Sequence, residues 1–365
     1  MQKNDRLIIR QRSHYRGRGA LSNRQSRFLA SHSEIDDGPA SPQPVTEYRM
    51  VDASRIITVN RSPDVPFEQS INPYQGCEHG CIYCYARPTH AYLGLSPGLD
   101  FETHLIAKRN APELLRTELA KAGYHCRPIA LGANTDPYQP LEKELHITRQ
   151  LLTILHQCQH PLSIITKSAL ISRDIGLLSE LASEGLVSVA ISVTTLDDKL
   201  KRLLEPRAPS AYRRLQVIEQ LSTAGIPVSV LAAPMIPAIN DVELEQILSA
   251  AASAGASRAG YILLRLPLEL RDLFDEWLWQ HFPLRAQHVW SLIRQNREGR
   301  DSSSRFGERM RGCGPLADLL SQRFRLSCKK LRLDMGPPPT LRCDLFKAPV
   351  LIQNDQHSGQ YDLFA

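Results

Sequence analysis

Three cysteines, Cys77, Cys81 and Cys84, fall within eight residues of the run NPYQGCEHGCIYCYARPTH, residues 72–90. Thiolates this close together can wrap one face of a metal centre. Zinc prefers four ligands, commonly two pairs well apart in sequence. No second pair follows at such a spacing, so His79 or His90 would have to complete a zinc set. Iron–sulfur clusters are held by cysteine thiolates, four in an ordinary 4Fe–4S centre. A trio would ligate three irons and leave the fourth open to a substrate. The other reading is three apolar cysteines buried in a core. It fits poorly beside Glu78, His79 and Gly80, which are loop residues. Gly76 and Gly80 give that loop the backbone freedom to turn thiolates inward.

Such a loop needs a frame. EQSIN, just before it, reads as a short strand. After it, the helical runs APELLRTELAKAG, HITRQLLTILHQC, ISRDIGLLSELASEG, SAYRRLQVIEQLSTAG and DVELEQILSAAASAG alternate with the apolar strand runs RPIALGA, PLSIITK, LVSVAISVTT, IPVSVLAAPM and SRAGYILLRLP. The strands are continuous apolar runs, as expected where both sheet faces are covered. This alternation means parallel βαβ units. Periodicity leaves open whether they form a doubly wound sheet or a full or partial barrel. Residues 1–48 read as a disordered basic tail, 49–66 as a lead-in, 67–268 as the α/β core and 269–365 as a helical extension.

The spacing Cys-x3-Cys-x2-Cys with an aromatic, Tyr83, before the last cysteine resembles the radical S-adenosylmethionine (SAM) superfamily. The loop also follows a first strand, and six βα units succeed it. The resemblance covers roughly residues 65–268 and implies a partial (β/α)6 barrel, with reactive groups at the C-terminal ends of the strands. It implies a 4Fe–4S cluster on Cys77, Cys81 and Cys84, with SAM held at the open iron. Reductive cleavage of a C–S bond would then release a 5′-deoxyadenosyl radical that takes hydrogen from a substrate.

Other residues acquire expectations from that resemblance. Asn134, Thr135 and Asp136, in GANTDPYQPLE, offer acceptors for the cofactor's ammonium; the same residues also make an ordinary Asx turn before Pro137. Lys167, ending IITK, can pair the cofactor's carboxylate, or be a plain strand-end lysine. Ser192 and Thr194 share one side of a strand by its period of two and suit ribose, or are half-buried polar positions. Tyr83 can pack on adenine, or simply anchor the loop. Glu205 and Arg207 face the mouth or pair with each other, with no role assigned. The runs TDPYQPLE, TKSALISRD and EPRAPSAYRRLQVIEQLSTAGIPV are similar to the branch containing spore photoproduct lyase, often called DNA repair photolyase-like. The lyase has a hydrogen-donating cysteine just before its Thr/Asp segment after the second strand, where the corresponding stretch of this chain reads Ala133-Asn134-Thr135-Asp136; Cys126 lies at the opposite end of the strand.

Composition sets the bounds. Of 365 residues, 42% are hydrophobic and 22% charged, the balance of a soluble globular protein. No run of apolar residues is long enough for a transmembrane helix, so no membrane partner is expected. Eight cysteines, five of them scattered, make no disulfide scaffold. The N-terminus lacks a secretory core; a cytoplasmic protein is the reading, with a transit peptide as the alternative. Charge is uneven. Residues 1–32 hold eight Lys/Arg against one acid, and residues 285–333 hold twelve against four. Such runs attract nucleic acid, or are solvated surface. Three functions stay open: a lyase-type radical enzyme on nucleic acid, a radical enzyme on a peptide or small metabolite, and a non-catalytic metal or iron–sulfur protein that binds nucleic acid. Either enzyme would need a flavodoxin- or ferredoxin-like electron donor. Cys313, Cys328 and Cys343 read as scattered thiols.

Overall fold

Six runs, five of them largely apolar, form parallel strands: β1 Gln69–Ile71, β2 Ile129–Leu131, β3 Leu162–Thr166, β4 Val187–Ser192, β5 Val228–Met235 and β6 Arg258–Leu263. The computed structural model describes residues 17–24, 26–28, 44–336 and 339–351. Each strand pairs with the next in chain order, and an antiparallel strand, Ile57–Val59, flanks β1. The crossovers carry helices α1 Ala111–Leu119, α2 Ile147–Gln157, α3 Ile175–Ser183, α4 Ala211–Thr223 and α5 Leu244–Ser253. Among the described residues β1 and β6 do not pair. The sheet therefore curves as the expected partial (β/α)6 barrel rather than closing by hydrogen bonds.

The strands depart from the expectation of burial on both faces. Burial alternates along β3, β4 and β5. Ile164, Val189 and Val230 are buried in the main core, which also holds Leu151, Leu155, Leu178, Leu181, Val217 and Leu221 from the helices. Their neighbours Ile165 and Leu231, with Ile262 of β6, instead line a hollow inside the barrel. The helices bury one stripe each; in α2 it comprises Ile147, Leu151, Ile154 and Leu155, the spacing of one helical face.

The open side of the barrel is latched. In the loop after Ile57–Val59, Asp64 pairs with Arg309 and accepts from the Gly307 amide at 2.7 Å, while Arg309 also donates to Ser62 at 2.5 Å. A second, three-stranded sheet lies outside the barrel. In it Glu47–Val51 runs parallel to His104–Lys108, and Tyr74–Gln75 pairs antiparallel to the same central strand. Periodicity did not reveal it, because its strands are short and unevenly buried.

Part of the stretch expected to be disordered is docked. Gly19 and Ala20 donate their amides to the Glu102 carboxylate at 3.0 and 2.8 Å. Arg18 reaches the Glu102 carbonyl at 2.9 Å, and Ala20 is fully buried. A Cβ on Gly19 would lie 1.8 Å from the Gly80 carbonyl oxygen, so this strap rests directly on the cysteine loop. Residues 1–16, 25 and 29–43 lie outside the described residues.

The C-terminal extension is helical, as expected: α6 Leu270–His281, α7 Ala286–Gln295 and α8 Pro315–Leu331. Leu273, Phe274, Trp277, Val289 and Trp290 join Cys81, Ile82 and Tyr83 in one hydrophobic cluster. The extension thus forms the floor under the cysteine loop. α8 packs on α5, where Arg323 makes two 2.7 Å bonds to Glu245.

Candidate cluster and cofactor site

Directly after β1, the chain turns through Gly76 and Gly80, at φ +78° and +67°. A Cβ on Gly80 would meet Glu102 Oε2 at 2.8 Å, so this turn needs glycine for space as well as conformation. Arg87, fully buried, holds the loop from behind. It donates to the Cys81 carbonyl at 2.9 Å, to the Gly98 carbonyl at 2.8 Å and to Glu102 at 2.5 Å.

All three cysteines of the trio are free thiols lining one cavity of about 500 Å³. Opposite them stand Asn134, Thr135 and Asp136 after β2, Lys167 after β3, Ser192 at the end of β4 and Arg265 beyond β6. Burial pushes the Cys77 thiol well above its ordinary value and Cys81 up to about 11. Among the described residues no three His, Cys, Asp or Glu side chains could hold a single metal ion. A cluster makes a different demand, because each thiolate bonds its own iron. Three thiols facing one cavity, two buried and Cys84 partly exposed, with no fourth lining it among the described residues, fit a 4Fe–4S cluster that has an open iron. They do not fit a closed zinc site.

Asp136 is spent on the protein. It accepts from the Thr166 hydroxyl at 2.6 Å, the Lys167 amide at 3.0 Å and the Tyr138 amide at 2.9 Å. Its Oδ2 also stands 3.4 Å from His79 Nδ1. Burial disfavours its charge, but His79 and these donors hold the carboxyl well below the usual range. Thr135 is similarly engaged, donating to the Tyr74 carbonyl at 2.7 Å. Asn134 keeps its side-chain amide free of hydrogen bonds among the described residues, its backbone amide donating to Asn72.

Glu205 lies at the centre of a buried charge network. Arg214 pairs with it, Tyr83 donates to it, Thr194 donates at 2.8 Å and Lys167 Nζ stands 3.9 Å away. Burial raises the carboxyl, but Arg214 and Lys167 outweigh it and bring Glu205 down to about 2. Burial likewise opposes charge on Lys167, and Cys81 and Glu205 more than restore it. Two cations and one carboxylate leave this corner with net charge +1. The Lys167 ammonium also lies over the Tyr83 ring, 5.7 Å from its centroid.

Ser192 and Thr194, expected on one side, are used differently. Ser192 lines the cavity. The Thr194 hydroxyl is tied to Glu205 and to the Ala233 carbonyl at 3.0 Å, away from the cavity lining. Arg207 pairs with Glu78 at 3.3 Å rather than with Glu205. Sequence reasoning left Glu205 without a role and passed over His79, except as a zinc ligand, and Arg214, Arg265 and Arg309 altogether. The signal for Arg265 was available, since it stands two residues past the last strand, at the barrel's reactive end. Ala133 lines the cavity, and Tyr85 donates to its carbonyl.

The family model of the Radical SAM superfamily matches residues 71–251. The chain belongs to the radical SAM superfamily. It is 36% identical over 253 residues to an uncharacterized protein of Mycobacterium tuberculosis, covering 69% of this chain and 74% of that one. It is 31% identical over 173 residues to an uncharacterized protein of Methanocaldococcus jannaschii, covering 47% of this chain and 62% of the other. Among solved structures its fold is similar to spore photoproduct lyase. The lyase complexed with dinucleoside spore photoproduct aligns with a TM-score of 0.55 at 15% identity, covering 78% of this chain and 79% of that chain. The superfamily implies SAM and a 4Fe–4S cluster. Among the described residues no helix is long and apolar enough to cross a membrane.

Proposed function

We propose that this protein is a radical SAM enzyme whose cluster is held by Cys77, Cys81 and Cys84. The observation that carries the reading is the three free, inward-facing thiols on one wall of a cavity whose other wall is built from strand ends. When bound, the cluster and SAM supply reductive C–S cleavage and a 5′-deoxyadenosyl radical. The chain's own residues bind and orient. Lys167, loosely held by Glu205, offers its ammonium to the cofactor's carboxylate. Asn134 offers an acceptor to the ammonium, with Thr135 and Asp136 fixing the turn that presents it. Ser192 is placed for a ribose hydroxyl. Tyr83 presents a ring for adenine, and Thr194 and Glu205 hold that ring. The electron comes from a reduced donor of the flavodoxin or ferredoxin kind.

Nucleic acid is the substrate class we favour. Its support is a fold shared with a lyase seen with a dinucleoside lesion, together with the Arg-rich flanks. Ala133 in place of the lyase's cysteine argues for a different hydrogen-transfer route.

Anaerobic reconstitution with iron and sulfide tests the proposal. A brown protein that releases 5′-deoxyadenosine from SAM on reduction is the expected result. Cys84→Ala abolishes both the visible absorbance and the release. A colourless zinc protein, or a variant that still cleaves SAM, refutes the assignment.

A further inference from the structure

The cavity has a second cationic corner that the cofactor reading leaves unused. Besides the cysteine trio and His79, its ionisable lining residues include Asp136, Lys167, Arg265 and Arg309. Asp136 is consumed by protein donors. Lys167 has Glu205, and Arg309 has Asp64. Arg265 alone of the three cations has no carboxylate within ion-pair distance among the described residues. Its polar contact is to the Met310 sulfur at 3.6 Å, and its guanidinium lies over the Tyr85 ring, 5.7 Å from the centroid.

Arg265 and Arg309 with Asp64 again make two cations and one carboxylate, net +1. Burial and the neighbouring Arg309 both disfavour the charge on Arg265. A half-buried guanidinium beside another cation is stabilised by an anion, and its planar fork suits an oxyanion bound through two parallel hydrogen bonds. The corner lies on the sixth strand, three strands along the sheet from Lys167 on the third. Asn60 and Ser62 of the latch loop border the same side, which also opens toward Arg61 and Arg127.

We propose that Arg265, supported by Arg309, binds an oxyanion carried by the substrate, on the side of the cavity bordered by the latch loop. This inference rests on the radical SAM reading for the word substrate, but the binding site itself does not require a cluster. A phosphate group would mark a nucleotide or nucleic-acid substrate, and a carboxylate a peptide or acid metabolite.

The test uses the full chain as isolated, without cluster. Thermal unfolding is followed in inorganic phosphate and, separately, in acetate, each against sodium chloride of equal ionic strength. The expected result is a saturable rise in midpoint with one of the two anions, which identifies the source. In Arg265→Met the half-saturating concentration should rise about tenfold or more, with Arg265→Lys between them, as linkage requires when a binding group is removed. Arg116→Met, exposed on α1, is the control and should match the unaltered chain. If neither anion acts beyond ionic strength, or if Arg265→Met matches Arg116→Met, the proposal is overturned. An unaltered midpoint without anion shows that Arg265→Met folds; if it does not, Arg265→Lys carries the comparison. SAM affinity of the reconstituted protein separates the corners. It should fall about tenfold in Lys167→Met and about twofold or less in Arg265→Met. A larger loss in Arg265→Met assigns Arg265 to the cofactor and overturns the substrate role. A chain that binds phosphate yet assembles no cluster would instead sink the proposed function and leave the anion site standing.

Discussion

Glu205 shows how one buried side chain organises a site. Its carboxylate is fully buried and engages Arg214, Lys167, Tyr83 and Thr194. Removing the charge leaves buried Arg214 unpaired, so Glu205→Gln should cost about 3 kcal/mol at neutral pH. The pH dependence follows from the depressed value of about 2 against an ordinary 4.5. The folded form binds fewer protons, so the stabilisation is complete above the ordinary value and is lost as pH falls toward the depressed one. The gap in denaturation midpoint between Glu205→Gln and the parent should therefore be constant from pH 6 to about pH 5 and shrink below about pH 4. A gap that widens on acidification would contradict this account. Cys84→Ala tests the neighbouring thiols through cluster absorbance. Residue types and spacing were enough to single out those thiols as candidate ligands, because spacing within one loop is a local property. They did not identify the partner of Glu205, because Arg214 and Lys167 meet it from other strands and helices.

At the scale of elements, short pieces do the positioning. Glu205 ends the helix Asp198–Leu204, whose N-cap Asp197 accepts from the Lys199 amide at 2.7 Å. Asp197→Ala should cost about 1 kcal/mol, read as a lowered denaturation midpoint, and should loosen the Glu205 network. The strap acts on the loop from outside. Gly19→Ala would drive a Cβ into the Gly80 carbonyl. It should release the strap and speed amide exchange at Gly80 and Ile82, while the exchange of β3 and β4 stays unchanged. Equal acceleration across the barrel would show that the strap is no separate unit. The alternating βα runs were legible because each carries its own period. The small outer sheet was not: Tyr74–Gln75 is two residues long and acquires meaning only by pairing with His104–Lys108.

Over the whole molecule, charge is the property with long reach. Residues 1–16 hold five Lys/Arg and one acid. Deleting them spares the strap at Gly19 and Ala20. The deletion should weaken binding to single-stranded DNA and lower the dependence of affinity on salt by up to about three units of log–log slope, about 0.7 for each phosphate the segment neutralises. Equal slopes with and without the segment would remove the tail from any nucleic-acid role. The cysteine spacing and the βα alternation were legible in the sequence itself, since both are written in neighbouring residues. Only the tertiary structure decided which polar groups remain available. It spends Asp136, Thr135 and Thr194 on the protein, leaves Asn134 and Ser192 at the cavity, and sets Arg265 there without an ion-paired carboxylate among the described residues. The physical reason is that a hydrogen bond or ion pair across the barrel depends on which strand ends converge, and no local pattern encodes that convergence.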